Sequence, residues 1–257
     1  MRKILKSRRE KSRKGELTTQ QIVTIIIIIA SFVILLYFLF RINPAETSSK
    51  QICYNSVVLM DKGSGLVGSL DCKTNYLCLS GGGSCADFSP TVTASVDPSK
   101  KEGVLKTIAD EMSDCWWMFG EGKINYGTVE GTTIKYALCS IMEFDKKVQE
   151  KTPEISYSEL YEYMKTHQSS HATSQSYLQY LYGVNDVSAL IVQSQFYIII
   201  PKDKIDTKQK YSIITGIDDN FGVGNVILPD EYLKVYIIPT AETSSKIVAG
   251  EFITKAA

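Results

Sequence analysis

Residues 22–40 read IVTIIIIIASFVILLYFLF, nineteen positions without a charged side chain. As a helix, this stretch would extend about 28 Å, close to the roughly 30 Å hydrocarbon core of a bilayer. The fourteen residues before Gly15 contain eight Lys or Arg and one acid, and basic flanks of this kind stay in the cytoplasm. The sequence therefore predicts a basic cytoplasmic segment at 1–21, a single transmembrane helix at 22–40 and an extracytoplasmic remainder, anchored in the cell membrane.

Charge is distributed unevenly along the chain. The 28 basic and 28 acidic residues balance overall, but the first fourteen residues carry a net +7 and residues 15–257 a net −7. An acidic domain argues against nucleic acid, which is bound by basic surfaces. The partners we predict are the lipid bilayer, a surface or envelope protein, and other copies through the transmembrane helix. We predict no cofactor.

The six cysteines all follow the apolar stretch, and an even number in an exported domain predicts three disulfides. Six cysteines allow fifteen connectivities, and we favour sequential pairing. The first two pairs would close hairpin turns near residues 61–64 and 80–84. A metal site built from Cys72, Cys78 and Cys85 is the alternative, but it lacks the short spacing of zinc knuckles. The predicted pairs are Cys53–Cys72, Cys78–Cys85 and Cys115–Cys139.

Secondary-structure signals divide the extracytoplasmic part. Pro44 interrupts the first helix, so residues 41–51 are predicted to form a polar stem before a domain at 52–257. Within this domain we predict cystine-rich hairpins at 52–90, a helical part at 99–183 and a sheet at 189–254.

Three helices are predicted in the helical part. Ser99 and Glu102 have the spacing of a capping box, and the helix they begin would end near Gly120. A second capped helix covers 156–165, and a short Tyr-rich helix ends at Gly183.

A strand at 133–144 is predicted to bring Cys139 to the first of these helices. Short connections between the later strands favour antiparallel pairing. The predicted fold is thus α+β: a single N-terminal transmembrane helix and a disulfide-rich ectodomain with two or three helices and a C-terminal antiparallel sheet. The later strands are predicted at 191–200, 210–217, 222–228, 232–238 and 247–254.

Motifs of catalytic or metal chemistry have simpler interpretations here. Residues 63–68 spell G-x-G-x-x-G, but a cystine loop follows instead of a helix that could face a pyrophosphate. His167 and His171 are the only histidines, and they lack the adjacent Glu of a zinc protease helix. We predict no catalytic and no metal-binding residue. An exported hydrolase is the alternative, and it would require one histidine to meet an acid and a nucleophile.

Aromatic residues provide the candidates for partner binding. Trp116 is predicted to lie on the apolar face of its helix, whereas Trp117 points about 100° away and is our candidate partner-binding residue. A set of tyrosines fits either helix packing or a sugar- or peptide-binding face: Tyr157, Tyr161, Tyr163, Tyr177, Tyr180 and Tyr182.

Lys14-Gly15-Glu16-Leu17, between the basic tail and the apolar helix, resembles the class III signal of archaeal type IV pilin-like proteins. That resemblance implies cleavage between Gly15 and Glu16 and an apolar helix that remains as a filament core. In that family the helix usually continues as an amphipathic stalk on the globular domain.

Taken together, these features predict an archaeal surface protein with a non-catalytic surface, adhesion or envelope-interaction role. The alternatives are a minor pilin-like filament subunit and an exported hydrolase.

Overall fold

The computed structural model describes residues 19–41, 44–62, 70–124, 126, 134–190, 204–218, 231–243, 250–252 and 254. The chain divides into two compact units, Met1–Pro44 and Ala45–Ala257. All described strands lie in the second unit.

Six helices and eight strands are described. The helices are α1 (Thr19–Arg41), α2 (Pro44–Lys62), α3 (Lys101–Met118), α4 (Lys146–Lys151), α5 (Tyr157–Thr166) and α6 (Tyr177–Tyr182). The strands are β1 (Asn75–Ser80), β2 (Val92–Ser95), β3 (Ile134–Phe144), β4 (Glu154–Ser156), β5 (Lys204–Asp206), β6 (Tyr211–Asp218), β7 (Glu231–Pro239) and β8 (Gly250–Phe252). Short 3-10 helices cover Gly120–Gly122 and Thr240–Glu242.

Six of these strands form one mixed sheet. Its main path runs β2-β1-β3-β6-β7, and β8 pairs with β3. Strand β1 is parallel to β2 and β3, and β8 is parallel to β3, whereas β6 is antiparallel to both of its neighbours. The α+β class is correct, but the purely antiparallel, C-terminal sheet is wrong. The reason is that the chain between β1 and β3 contains α3, which is long enough for a parallel crossover.

The structure of helix α1 contradicts the predicted transmembrane helix. Within the described part of the chain, no helix combines the length and the apolar character that crossing a membrane requires. The predicted transmembrane helix at 22–40 is therefore wrong.

Helix α2 occupies the region where a stem and a cystine hairpin were predicted. It begins at Pro44, and proline is tolerated in a first helical turn because the N–H at that position has no intrahelical partner. Cys53 therefore lies on a helix, not on a hairpin strand. Cys53 and Val57, one turn apart, are both buried. An apolar face thus holds α2 against the domain, together with the disulfide to Cys72.

Three disulfides connect the elements of the domain. They join Cys53 to Cys72, Cys78 to Cys85, and Cys115 to Cys139, which are the sequential pairs. The third attaches α3 to β3. Trp116 of α3 is buried beside it and lies under the ammonium group of Lys234 on β7, with 4.8 Å between Nζ and the ring centroid. Helix α3 thus packs on the sheet through the apolar face that the sequence predicts.

The glycine-rich loop after β1 wraps around one carboxylate. Asp145 Oδ2 accepts hydrogen bonds from the N–H groups of Gly81 and Gly83 at 2.9 and 2.7 Å, and Oδ1 accepts from Val148 N–H at 2.8 Å. Burial raises the pKa of Asp145, but the hydrogen bonds from Val148 and Gly83 outweigh this and hold it below its ordinary value. Asp145 therefore fixes the loop and also caps α4.

Of the two N-terminal capping boxes predicted from the sequence, the structure contains one. Ser156 and Glu159 form a reciprocal capping box at the start of α5. Helix α3 instead has Lys100 as its N-cap, without a side-chain hydrogen bond, so the predicted capping box of Ser99 is wrong. The N–H group of Ser99 is hydrogen-bonded to Asp97 Oδ1, which places Ser99 in the turn before the helix. Helix α6 ends at Gly183 in the left-handed conformation, as predicted.

Candidate functional site

The polar face of α3 contains a set of interacting charged and aromatic side chains. Lys106, Asp110, Asp114 and Trp117 follow one another at intervals of four, four and three residues, so they lie on one side of the helix. The three charged members lie outside the apolar face that the sequence predicts for this helix. In the structure Asp110, Asp114 and Trp117 are half-buried, because α2, α6 and the chain before α6 pack along this side.

A buried ion cluster connects α2 to α3. Lys50 Nζ lies 2.9 Å from Glu111 Oε2 and 2.7 Å from Asp114 Oδ2. The Lys50 side chain is only 9% exposed and that of Glu111 only 7%. Charges removed from water this completely are tolerated only when they are paired, so Lys50 is a structural residue of the domain.

Asp114 also binds the loop before α6. His171 Nε2 lies 2.6 Å from Asp114 Oδ1, while Oδ2 bonds Lys50. Burial raises the pKa of Asp114, but the hydrogen bond from His171 and the charge of Lys50 together lower it below its ordinary value. The ionised carboxylate thus joins three segments that are far apart in sequence.

Trp117 is enclosed by two aromatic rings. Its ring stacks on Tyr54 of α2 with 4.5 Å between centroids, and on His171 with 4.9 Å. Interplanar angles of 9° and 7° make a continuous three-ring stack. Our candidate partner-binding residue is therefore already stacked on two aromatic rings of the protein itself.

Two tyrosines of α6 complete the contacts on this side. The Tyr177 hydroxyl donates to Asp110 Oδ1, and the Tyr180 hydroxyl donates to Glu121 Oε1 at 2.8 Å. Burial, followed by these carboxylate hydrogen bonds, raises the pKa of both phenols above the ordinary value. Both tyrosines therefore act as neutral hydrogen-bond donors at any physiological pH.

A groove of about 390 Å³ lies between α3 and the edge strand β2. One wall is formed by α3, the floor includes Leu77 of β1, and Val92, Thr93 and Ala94 of β2 form the other side. The remaining lining residues are Lys50, Lys106, Thr107, Asp110, Glu111, Asp114 and Ser170. A cavity of this size is within the range that binds small ligands and peptide side chains.

The two histidines do not converge. His167 stacks on Tyr163, with 3.9 Å between ring centroids, and its Nδ1 lies 3.0 Å from the Tyr163 carbonyl oxygen. His171 is turned to Asp114. Among the described residues, no group of three or more His, Cys, Asp or Glu side chains is arranged to hold a metal ion.

An exported hydrolase would require a histidine that contacts both an acid and a nucleophile, and within the described residues the ring of His171 is hydrogen-bonded only to an acid. His171 does meet an acid, Asp114, beside the groove. The nearby hydroxyl groups of Ser113 and Ser169 instead pair with each other at 2.7 Å and are buried. Within the described part of the chain, the ring of His171 is hydrogen-bonded to no hydroxyl or thiol group.

The tyrosine set is mostly part of the interior. Tyr157, Tyr161, Tyr163, Tyr177 and Tyr182 are buried, whereas Tyr180 is half-buried. The Tyr157 and Tyr182 hydroxyls donate to the carbonyls of Ile237 and Val235 on β7. These rings therefore join the helices to the sheet.

Several predicted features lie outside the described residues. They are the processing site Gly15 and Glu16, the glycine motif at 63–68, and the strands at 191–200 and 222–228.

Sequence reasoning missed the polar stripe on α3 as a site, although the recurrence of polar residues at 106, 110 and 114 was visible. The groove had no sequence signal, because β2 lies between the predicted hairpins at 52–90 and the predicted helical part at 99–183, where no strand was predicted.

The chain matches no protein-family model, no curated protein and no solved structure.

Proposed function

We propose that the protein is an exported structural protein in which helix α1 packs against α1 of other copies. Residues 45–257 are then displayed on this assembly as a non-catalytic domain. The observation that carries the proposal is the exposure of α1. Twelve large apolar side chains on this helix are 45–62% exposed: Ile22, Val23, Ile25, Ile26, Ile27, Ile28, Ile29, Phe32, Val33, Ile34, Leu35 and Tyr37.

These side chains cover the whole circumference of the helix. Residues 25–29 are five successive isoleucines, and successive positions are separated by 100°. A helix that is apolar on all sides requires an apolar environment all around it. Covering the exposed half of each side chain contributes about 1 kcal/mol, or about 12 kcal/mol for the helix. This is comparable to the 4–15 kcal/mol that association is estimated to cost, so a multi-copy bundle can be stable.

Two further features support a pilin-like subunit. Lys14-Gly15-Glu16-Leu17 resembles a class III processing signal, and α2 supplies a second helical segment whose buried face, Cys53 and Val57, attaches to the domain. Three disulfides support an oxidising, extracytoplasmic location. The mutual engagement of Lys50, Asp114 and His171 supports a non-catalytic role, since these groups act as structural contacts.

Photo-cross-linking in cells tests this proposal. A photoreactive phenylalanine analogue is introduced at Ile28, the most exposed of the twelve residues at 62%, and in a matched control at Glu150, an exposed residue of α4. We expect the probe at Ile28 to yield cross-links between two copies of the chain. The probe at Glu150 should yield no cross-link to α1 of another copy. Cross-links from Ile28 to lipid alone, or to a different protein alone, would contradict the proposal.

Intact mass and N-terminal sequencing of the native protein test the pilin-like form separately. A chain that begins at Glu16 supports processing of the class III type. A chain that retains Met1 contradicts it, whatever the cross-linking result.

A further inference from the structure

Strand β2 forms one edge of the described sheet. Val96 N–H donates to the Ser80 carbonyl of β1 at 2.8 Å, in register with the pairing of Ser80 and Ser95. Backbone groups of successive strand residues point to alternate sides. The N–H and C=O groups of Val92 and Ala94 therefore face β1, and those of Thr93 and Ser95 face outward.

This edge lacks two protective features that proteins commonly place on exposed edge strands. Exposed edges are often protected by lysine or proline within the strand, and Val92–Ser95 contains neither. Within the described part of the chain, β2 has β1 as its single strand neighbour. An edge of this kind can accept an added strand from a partner, whose affinity comes from main-chain hydrogen bonds.

The groove beside this edge determines which strand would fit. Helix α3 faces β2 across about 390 Å³ and contributes Asp110, Glu111 and Asp114 to the lining, against the two ammonium groups of Lys106 and Lys50. The charged lining thus has a net charge of −1, and the domain at 45–257 has a net charge of −7. Both features favour a cationic ligand, through local pairing and through long-range attraction.

Asp110 is the carboxylate that an incoming cation can reach. Its Oδ2 lies 2.5 Å from Lys106 Nζ, and the Lys106 side chain is 61% exposed. Exposed pairs of this kind contribute little to stability, so Lys106 can be displaced. Asp114 differs in its partners, since the Lys50 side chain is only 9% exposed and that of His171 only 23%.

We propose that the groove between β2 and α3 binds an extended segment of another protein. The segment adds as a strand beside β2, hydrogen-bonded to the outward backbone groups of Thr93 and Ser95, and places a Lys or Arg side chain at Asp110. The inference does not depend on assembly through α1.

Hydrogen–deuterium exchange of the whole chain tests it, with two synthetic peptides as probes. The first is acetyl-Thr-Val-Thr-Lys-Thr-Val-Thr-amide, and the second has glutamate in place of the lysine. We expect rapid exchange at the outward amides of Thr93 and Ser95 in the free protein. The lysine peptide should slow exchange there, and the glutamate peptide should bind at least about tenfold more weakly, since a charge-assisted hydrogen bond is lost.

Two pairs of variants separate the backbone and charge contributions. Thr93→Pro removes an outward N–H that the sheet does not use, so it abolishes binding while the domain still folds; Thr93→Ala retains the N–H and retains binding. Asp110→Asn weakens the lysine peptide about tenfold. Glu150→Gln removes the same charge from the exposed face of α4 and leaves binding unchanged.

Four results would overturn the inference. Slow exchange of both outward amides in the free protein would mean that the edge is already covered. Absence of binding by the lysine peptide up to about 1 mM would exclude the site. Undiminished binding to Thr93→Pro would exclude an added strand, and equal binding of the two peptides would exclude the role of Asp110.

Discussion

Replacing Lys50 by methionine tests the buried ion cluster that holds α2 to the domain. The substitution keeps the unbranched side chain and removes the ammonium group that lies 2.9 Å from Glu111 and 2.7 Å from Asp114. Two carboxylates then remain in a site where the Glu111 side chain is 7% exposed. Removing one partner from a buried ion pair costs about 3–5 kcal/mol. For a domain of this size, we expect a decrease in Tm of roughly 10 °C.

Lys106→Met provides the matched control. It removes the same group from the same type of residue, and its partner Asp110 lies at 2.5 Å. The Lys106 side chain is 61% exposed, and an exposed i,i+4 pair contributes only about 0.3–0.5 kcal/mol. Denaturant titrations of the full chain in mild detergent, followed by circular dichroism, compare the two variants. If Lys50→Met costs no more than Lys106→Met, the reasoning from burial is refuted.

The pH dependence supplies an internal check. Because the pKa of Asp114 in the folded state lies below its ordinary value, its ionisation stabilises the fold above about pH 4, and this stability is lost as pH falls through the folded pKa. Lys50→Met removes one of the causes of the lowered pKa. The difference in unfolding free energy between wild type and variant should therefore be largest above about pH 5 and narrow toward pH 2. If the difference in unfolding free energy stayed constant between about pH 5 and about pH 2, Lys50 would not be a cause of the lowered pKa of Asp114.

The double alanine variant of Cys115 and Cys139 should lose about 3 kcal/mol of unfolding free energy, since the pair closes a sequence separation of 24 residues. The Cys78–Cys85 pair, with a separation of 7, should contribute only about 2 kcal/mol. If denaturant titrations showed a larger loss for this pair than for Cys115–Cys139, loop closure would not be the main source of the stabilisation. Asp145→Asn directs an NH₂ group at backbone donors, so it should cost about 2–3 kcal/mol at pH 7. Because the folded pKa of Asp145 is lowered, this cost should shrink as pH falls below about 4, and acid titration of the unfolding free energy checks the trend.

Local signals predicted the parts of the fold that depend on near neighbours in sequence. The capping residues of α5 and the glycine after α6 satisfy helix ends within a few residues, and the disulfides join cysteines 7, 19 and 24 positions apart. Pro44 shows the limit of such signals. Proline is compatible with the beginning of a helix and incompatible with its interior, so one residue can end α1 and start α2. Only the packing of Cys53 and Val57 against the domain decides in favour of a helix there.

The candidate site was not predictable for a different reason. Asp114 meets Lys50 from 64 positions away and His171 from 57 positions away, and no periodicity connects such partners. The parallel pairing of β1 with β2 and β3 also places the edge of the sheet near α3, and this edge, β2, lies where no strand was predicted. The groove exists because of this topology, not because of any motif in Val92–Ser95.

The polar face of α3 therefore serves two purposes that can be separated at single carboxylates. Asp114 bonds one oxygen to Lys50 and the other to His171, so Asp114→Asn should lower stability and peptide binding together. Asp110 pairs with the exposed Lys106, and its asparagine variant still accepts the hydrogen bond from Tyr177. Asp110→Asn should thus weaken peptide binding with little loss of stability. If both variants lost stability equally, the groove wall would be part of the same structural cluster, and a displaceable cation at Asp110 would be excluded.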